Sequence, residues 1–381
     1  MEELLFRDRR STDSVKWNRL TPRFSREGLL GLWVADMDFA APACVRETLA
    51  RMAAFGVFGY DAVPDAFFQA FLDWERTRHG YAAERKWLRI CPGVVAALNW
   101  LVQSLTQPGD GVVVQTPVYY PFLSAVTDNG RRLVENPLVN QSGVYTMDLP
   151  GLERTLRQEQ VSLMILCSPH NPVGRVWTQE ELRQVLALCS AAGVVVISDE
   201  IHQDFTFGGA VHVPAAAAGT DARVITLTSP SKTFNLAGLK TALATLPDPD
   251  LRAAYDRHVR PLHADGPVSL GIAAAQAAYT GGGPWLEAVR RQVWENHGIL
   301  RRELAERCPG VTLSPLEGTY LAWLDLGIPP EALVALVEDR CGLAVDYGSW
   351  FGSGGTGHIR LNLATRPGLI RQAASALREA L

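Results

Sequence analysis

Three short apolar runs in this sequence each end in a side chain able to hold or transform a carbonyl compound. The run 223–227 leads to Lys232, an amine placed where a cation is costly. Beside the hydroxyls of Ser229 and Ser231 it can shed its proton and form a Schiff base. The run 162–167 breaks into Ser168-Pro169-His170-Asn171, whose terminal amide can donate to an anionic oxygen. The run 194–198 ends in Asp199, a carboxylate able to keep a proton on a heterocyclic nitrogen, with His202 close behind. Taken alone, Lys232 reads as a solvated surface charge and Asp199 as a helix N-cap. Their conjunction at three strand ends is far more specific than any one of them.

Apolar runs of this length, bounded by turn residues, predict strands buried on both faces of a parallel sheet. Between the Asn171 and Asp199 runs, Thr178 and Glu181 have the spacing of a capping box. Leu182, Val185, Leu186 and Leu188 supply an apolar face, and Gly193 stands where a C-terminal cap belongs. Strand, helix and strand form a right-handed crossover, which brings Asn171 and Asp199 to one edge of the sheet. Open parallel sheets bind ligands outside the carboxyl ends of their strands, where Lys232 also falls. Pyridoxal phosphate fits all three groups. Asp199 would hold its ring nitrogen protonated, Asn171 would donate to its phenolic oxygen, and Lys232 would bind its aldehyde. Ser229, Ser231 and Lys240 would supply hydroxyls and charge to its phosphate.

The segments 33–39, 168–174, 198–205, 231–239 and 358–362 carry a resemblance over nearly the whole chain. The sequence resembles the fold-type I pyridoxal-phosphate enzymes of the aspartate aminotransferase superfamily, and within them the MalY/PatB-type cystathionine beta-lyases. The tryptophan-led loop at Trp33 and the variant residue His202 point to that branch. The resemblance implies that Lys232 carries the cofactor and abstracts the substrate's alpha proton, that Asp199 pairs with the pyridinium, and that Asn171 contacts both cofactor and substrate. His202 stands where the superfamily often has tyrosine. Tyr119 matches the aromatic that stacks on the cofactor ring, with Tyr120 an alternative one position away. Gly93, Val94 and Val95 open a helix expected to run through Leu105, whose first amides would meet the phosphate. Arg360 matches the arginine that clamps the alpha-carboxylate, and Ala35 a residue beside the substrate; from its strand alone Arg360 reads equally as an exposed alternating position. Lys240 stands where an arginine is usual, so it is either a point charge for the phosphate or a strand-end surface lysine. Tyr60 resembles a tyrosine that reaches the phosphate of a neighbouring subunit, which implies a homodimer.

The expected fold class is α/β. A large pyridoxal-phosphate-transferase-like domain with a mostly parallel sheet covers 44–284, and a smaller α+β domain is built from 1–43 and 285–381. A long helix from Trp285 to about Cys308 would bridge them. Within the smaller domain, 319–325 reads as a strand and 330–341 as a helix, and the substrate would lie between the domains. The run 352–357, Gly-Ser-Gly-Gly-Thr-Gly, fits the dinucleotide-binding pattern, but it precedes an expected strand and is read as a mobile loop near the substrate. The activity implied by the resemblance is alpha,beta-elimination from cystathionine or related cysteine S-conjugates, giving pyruvate, ammonia and a thiol. A class I/II aminotransferase and a pyridoxal-phosphate-binding regulatory protein are the alternatives. Neither loop expected beside the substrate, around 33–39 and 350–357, holds a second arginine for a dicarboxylic amino acid.

A hydrophobic content of 47% and a net charge of −4 over 381 residues fit a globular protein and give no support to nucleic-acid binding, while the resemblance implies an amino-acid substrate. The cysteines at 44, 91, 167, 189, 308 and 341 lack paired metal spacing and read as reduced thiols. Residues 1–8 lack the charged and apolar pattern of a leader, and no apolar run is long enough for a bilayer, so the expectation is a cytoplasmic protein free of membranes.

Overall fold

The structure is a computed structural model that describes residues 3–263 and 268–381; Met1 and Glu2 of the N-terminal stretch read above lie outside the described residues. Its main sheet contains β1 (Leu88–Cys91), β2 (Gly111–Val114), β3 (Arg132–Glu135), β4 (Val161–Cys167), β5 (Val195–Asp199), β6 (Val224–Thr228) and β7 (Ala242–Thr245). They lie in the order β1-β7-β6-β5-β4-β2-β3. Pairing is parallel from β3 through β6, and β7 runs antiparallel to both β6 and β1. This is the α/β class expected from the three apolar runs.

Burial on both faces explains why these strands read as continuous apolar runs. Leu163, Ile165 and Cys167 of β4 pack into one apolar cluster, with Leu98, Leu101 and Tyr255 from helices Val94–Leu105 and Pro249–Val259. The alternate residues Met164 and Leu166 pack into another, with Leu182, Val185 and Leu186 of helix Gln179–Ala191. That helix opens with both hydrogen bonds of the Thr178–Glu181 capping box, a cap that contributes about 1 kcal/mol. It closes at Ala192, and Gly193 follows at φ 70°, a left-handed backbone that a side chain would resist.

Register then fixes the chemistry. Cys167 pairs with Asp199, and Asp199 pairs with Leu227, so the β4, β5 and β6 ends are level. The turns that follow carry Asn171, Asp199 and Lys232 out at one edge.

A second sheet of β8 (Thr312–Leu313), β9 (Leu321–Asp325), β10 (Asp346–Tyr347) and β11 (His358–Asn362) has the order β8-β9-β11-β10. A short parallel pair, Leu30–Gly31 with Leu343–Ala344, ties the N-terminal segment to this C-terminal part. One apolar cluster runs from Phe67 and Phe71 through Trp285 to Leu321 and Ile359, so the main sheet's end helices and the second sheet share packing.

Two elements depart from expectation. The long helix is regular only over Gly283–Leu300 and widens to a π-helix at Arg301–Ala305. The segment read as a helix over 330–341 consists of a 3₁₀ turn, Pro330–Ala332, followed by a π-type stretch, Ala335–Arg340. Pro329 and Pro330 remove two backbone donors at its start, and apolar periodicity does not register a wider turn. The glycine-rich run 352–357 follows the 3₁₀ turn Gly348–Phe351 and leads into β11, which rules out a dinucleotide-binding turn. Among the described residues, no helix is long and apolar enough to cross a membrane.

Candidate active site

Outside the β4–β6 ends lies a cavity of about 290 Å³. The sequence-derived residues Gly93, Val94, Val95, Tyr119, Asn171, Asp199, His202, Ser229, Ser231, Lys232, Lys240 and Ala35 all line it. Arg360 does not line it but touches one of these residues, and Tyr60 stands apart from it.

Lys232 sits in the short helix Pro230–Thr233, whose N-cap is Ser229. The Ser229 hydroxyl accepts from the Ser231 N–H at 3.1 Å and donates to the Thr241 carbonyl at 2.7 Å, so it is committed to holding the turn. Behind the lysine, Thr233 donates to the buried Asp204 at 2.7 Å. Lys232 Nζ donates to the Ala35 carbonyl at 2.6 Å. Burial first, then the nearby Arg360 charge, pull the amine down to about 8, while Asp36 and Asp199 work against them. Near neutral pH its uncharged form is therefore within reach.

Asp199 is buried at the end of β5 and accepts the Ile201 N–H at 3.1 Å. No donor to its other oxygen is recorded among the described residues. Burial raises its carboxyl to about 7, with the Ile201 N–H and Lys232 opposing. A cation placed beside it would restore the ionised form. Burial drives the His202 imidazole well below its ordinary value, aided by Lys232 and Arg360, so it stands neutral; its Nδ1 has no partner among the described residues. Its ring meets Tyr320 edge-on at 5.4 Å, and the Tyr320 hydroxyl donates to Ala35 at 2.9 Å.

Arg360 resolves the choice left open by its strand. It is 2% exposed, on β11 opposite both Trp323 and Asp346. It donates to Asn171 Oδ1 at 2.9 Å, to the Trp33 carbonyl at 3.1 Å, and to Asp346 Oδ2. Its Nε has no partner among the described residues. Asn171 thus links the cavity to the guanidinium. The Trp33 loop is clamped from both sides: Asn235, three residues past Lys232, bonds the backbone of Met37 and Phe39, and Asn362, two past Arg360, bonds Val34 and Asp36.

At the other end, helix Val94–Leu105 points its first amides at the cavity after Gly93. A twelve-residue helix there favours an anion. Exposed Lys240, held at φ 51°, adds a charge to the same wall. Tyr119 lines the cavity and Tyr120 does not; Tyr120 turns to Trp350 and Phe351 instead. Tyr60 is fully exposed, together with Phe55, Val57 and Phe58.

Sequence reading missed Asp346, Tyr320 and Thr241. Asp346 lies fourteen residues from Arg360 with no spacing signal; only the antiparallel pairing of β10 and β11 puts them side by side.

The chain is similar to known proteins over nearly its whole length. It is 38% identical to the cystathionine beta-lyase PatB of Bacillus subtilis over 97% of this chain and 98% of that one. It is 34% identical to the protein MalY of Escherichia coli, covering 93% of this chain and 92% of that one. Among solved structures it superposes on cystalysin from Treponema denticola, which contains a pyridoxal 5'-phosphate cofactor, with a TM-score of 0.94 and 30% identity, over 100% of this chain and 98% of that one. Residues 27–377 match the aminotransferase class I and II family, and the chain belongs to that family.

Proposed function

We propose that the chain is a pyridoxal-phosphate-dependent carbon–sulfur beta-lyase acting on cystathionine or related cysteine S-conjugates. The observation that carries this reading is the convergence of Lys232, Asp199 and Asn171 on one cavity, with Arg360 bonded to Asn171. The donor set fits the cofactor group by group. It offers an amine of lowered basicity, a buried carboxylate with one oxygen short of a donor, an amide, a flat Tyr119 ring, and a helix N-terminus with Ser231 and Lys240 for the phosphate. The name of PatB and the cofactor of cystalysin support it.

When bound, pyridoxal phosphate accepts the electron pair of the substrate's broken Cα–H bond into its ring. The chain does the rest. Arg360, oriented by Asn171, Trp33 and Asp346, fixes the alpha-carboxylate and so aims the Cα–H bond. Lys232 Nζ takes the alpha proton and then holds it for the departing sulfur, which leaves with the Cβ–S electron pair. The three-carbon remainder hydrolyses to pyruvate and ammonia. Neutral His202 keeps a further positive charge away from the amine. Asp199 would hold the ring nitrogen of the bound cofactor protonated.

The reading extends to assembly. The exposed apolar segment around Phe55, Val57, Phe58 and Tyr60 is suited to burial against a second copy, with Tyr60 offered to the phosphate end of the partner's cavity. Residues 44–284 form the cofactor domain, and 1–43 with 285–381 close over the substrate, in a cytoplasmic enzyme. The test is direct. Purified holoenzyme incubated with cystathionine, without any added 2-oxo acid, should release pyruvate and homocysteine in equal amounts. Product that forms only when an amino acceptor is supplied overturns the lyase reading in favour of transamination.

A further inference from the structure

Neither loop beside Arg360 contains a second arginine, yet the fold delivers one from a third segment. The guanidinium of Arg23 lies 4.6 Å from the Trp350 ring centroid, 5.2 Å from Trp33 and 5.5 Å from Tyr120. One of its N–H groups donates to the Tyr120 hydroxyl at 3.3 Å, and no carboxylate pairs with it among the described residues. Stacked rings cover the faces of a guanidinium and leave its edge donors available. The cage also fixes the side chain, so less freedom is lost when an anion binds.

The position of that cage is the informative part. The Trp33 carbonyl accepts from Arg360, while its ring carries Arg23. Phe351 lies 5.1 Å from the Arg360 guanidinium, while the adjacent Trp350 carries Arg23. Tyr119 lines the cavity, while the adjacent Tyr120 carries Arg23. Each wall of the cage is thus a residue of the reaction site or its immediate neighbour. Arg360, and after it Arg23, lowers the buried Asp346 carboxyl against the rise that burial causes. Arg23 is exposed to solvent, whereas Arg360 is buried.

We propose that Arg23 is a specificity-determining residue that binds a carboxylate on the leaving-group side of the substrate, so that the preferred substrates are cysteine thioethers whose leaving group carries a carboxylate. Arg360 takes the alpha-carboxylate and Arg23 the distal one. A neutral S-alkyl chain leaves Arg23 without a partner. This selection rests on the beta-lyase reading and narrows it to a substrate class.

The experiment compares two thioethers of equal length, S-(2-carboxyethyl)-L-cysteine and S-propyl-L-cysteine, by thiol release from the same holoenzyme preparation. Wild type should favour the anionic one. Arg23→Met should lower the anionic-to-neutral ratio of kcat/KM about tenfold, as expected for a charge-assisted contact near solvent. Arg23→Glu should lower the ratio further and shift preference toward S-(2-aminoethyl)-L-cysteine. A variant that merely loses folded protein scales both substrates alike and leaves the ratio where it was. Turnover with an unchanged ratio in Arg23→Met therefore overturns the assignment of Arg23 alone. Absence of thiol release from every thioether in wild type brings down the lyase reading, and this proposal with it.

Discussion

Of two cavities in the molecule, the roomier is not the one with the chemistry. A cleft of about 710 Å³ is lined by Arg78, His79, Asp204, His212, Arg290 and Trp294, against about 290 Å³ at the β4–β6 ends. In the large cleft the charges answer one another: Arg78 pairs with Glu287 at 2.6 Å, His79 with Asp204 at 3.1 Å, His212 with Glu200 at 2.9 Å, and Arg290 with Glu287 at 2.9 Å. Burial alone would depress the His79 imidazole, yet Asp204 raises it, and burial would raise the Asp204 carboxyl, yet His79 holds it down. In the small cavity the charged groups lack bonded counterions. Among the described residues, Lys232 has a carbonyl in place of an anion, and Asp199 has a single backbone donor in place of a cation. A site meant for a ligand keeps its polar groups short of partners in the direction the ligand occupies, because a fully satisfied network gains nothing from binding. Unpaired charge, not volume, marks the site.

The sharpest way to break this contrast is at Lys232. Lys232→Ala should reduce pyruvate formation by about 10³-fold or more, the scale of a removed acid–base group, with kcat as the measurement. Full turnover in that variant would remove the small cavity from the mechanism. Next comes Arg360→Leu, expected to lower kcat/KM about 100-fold through loss of a bidentate carboxylate grip. It also leaves Asp346 buried without its partner, a loss of about 3–5 kcal/mol of stability by denaturant unfolding. The double variant Arg360→Leu, Asp346→Leu should recover most of that stability and none of the activity, which separates the two roles.

A third prediction uses the amine itself. Because Lys232 titrates near 8, below its ordinary 10.5, its reactive neutral form grows with rising pH and saturates above about 8. The rate of cofactor uptake by apoenzyme should rise about tenfold per pH unit below that point and then level off. A rise continuing to pH 10 would mean the amine is not depressed by burial. The smallest effect belongs to the large cleft. Arg290→Ala should cost under about 1 kcal/mol of stability, as a part-exposed ion pair does, and leave kcat/KM for cystathionine within about twofold. A larger loss of activity would make that cleft part of the site.

The reading of Lys232, Asn171 and Asp199 was possible because each follows an apolar run, and a run of buried strand followed by a turn is a local property. The sequence alone determined these strands, the capped helix Gln179–Ala191, and the helix N-terminus at Val94, since periodicity and capping act over a few residues. Tertiary structure decided the rest. Strand register levelled the three ends, cross-strand pairing set Asp346 against Arg360, side-chain direction chose Tyr119 over Tyr120, and packing of 21–28 on the two loops brought in Arg23. None of these has a signature in spacing. The pairs lie 10 to 327 residues apart, and their energies exist only once the chain has excluded water between them.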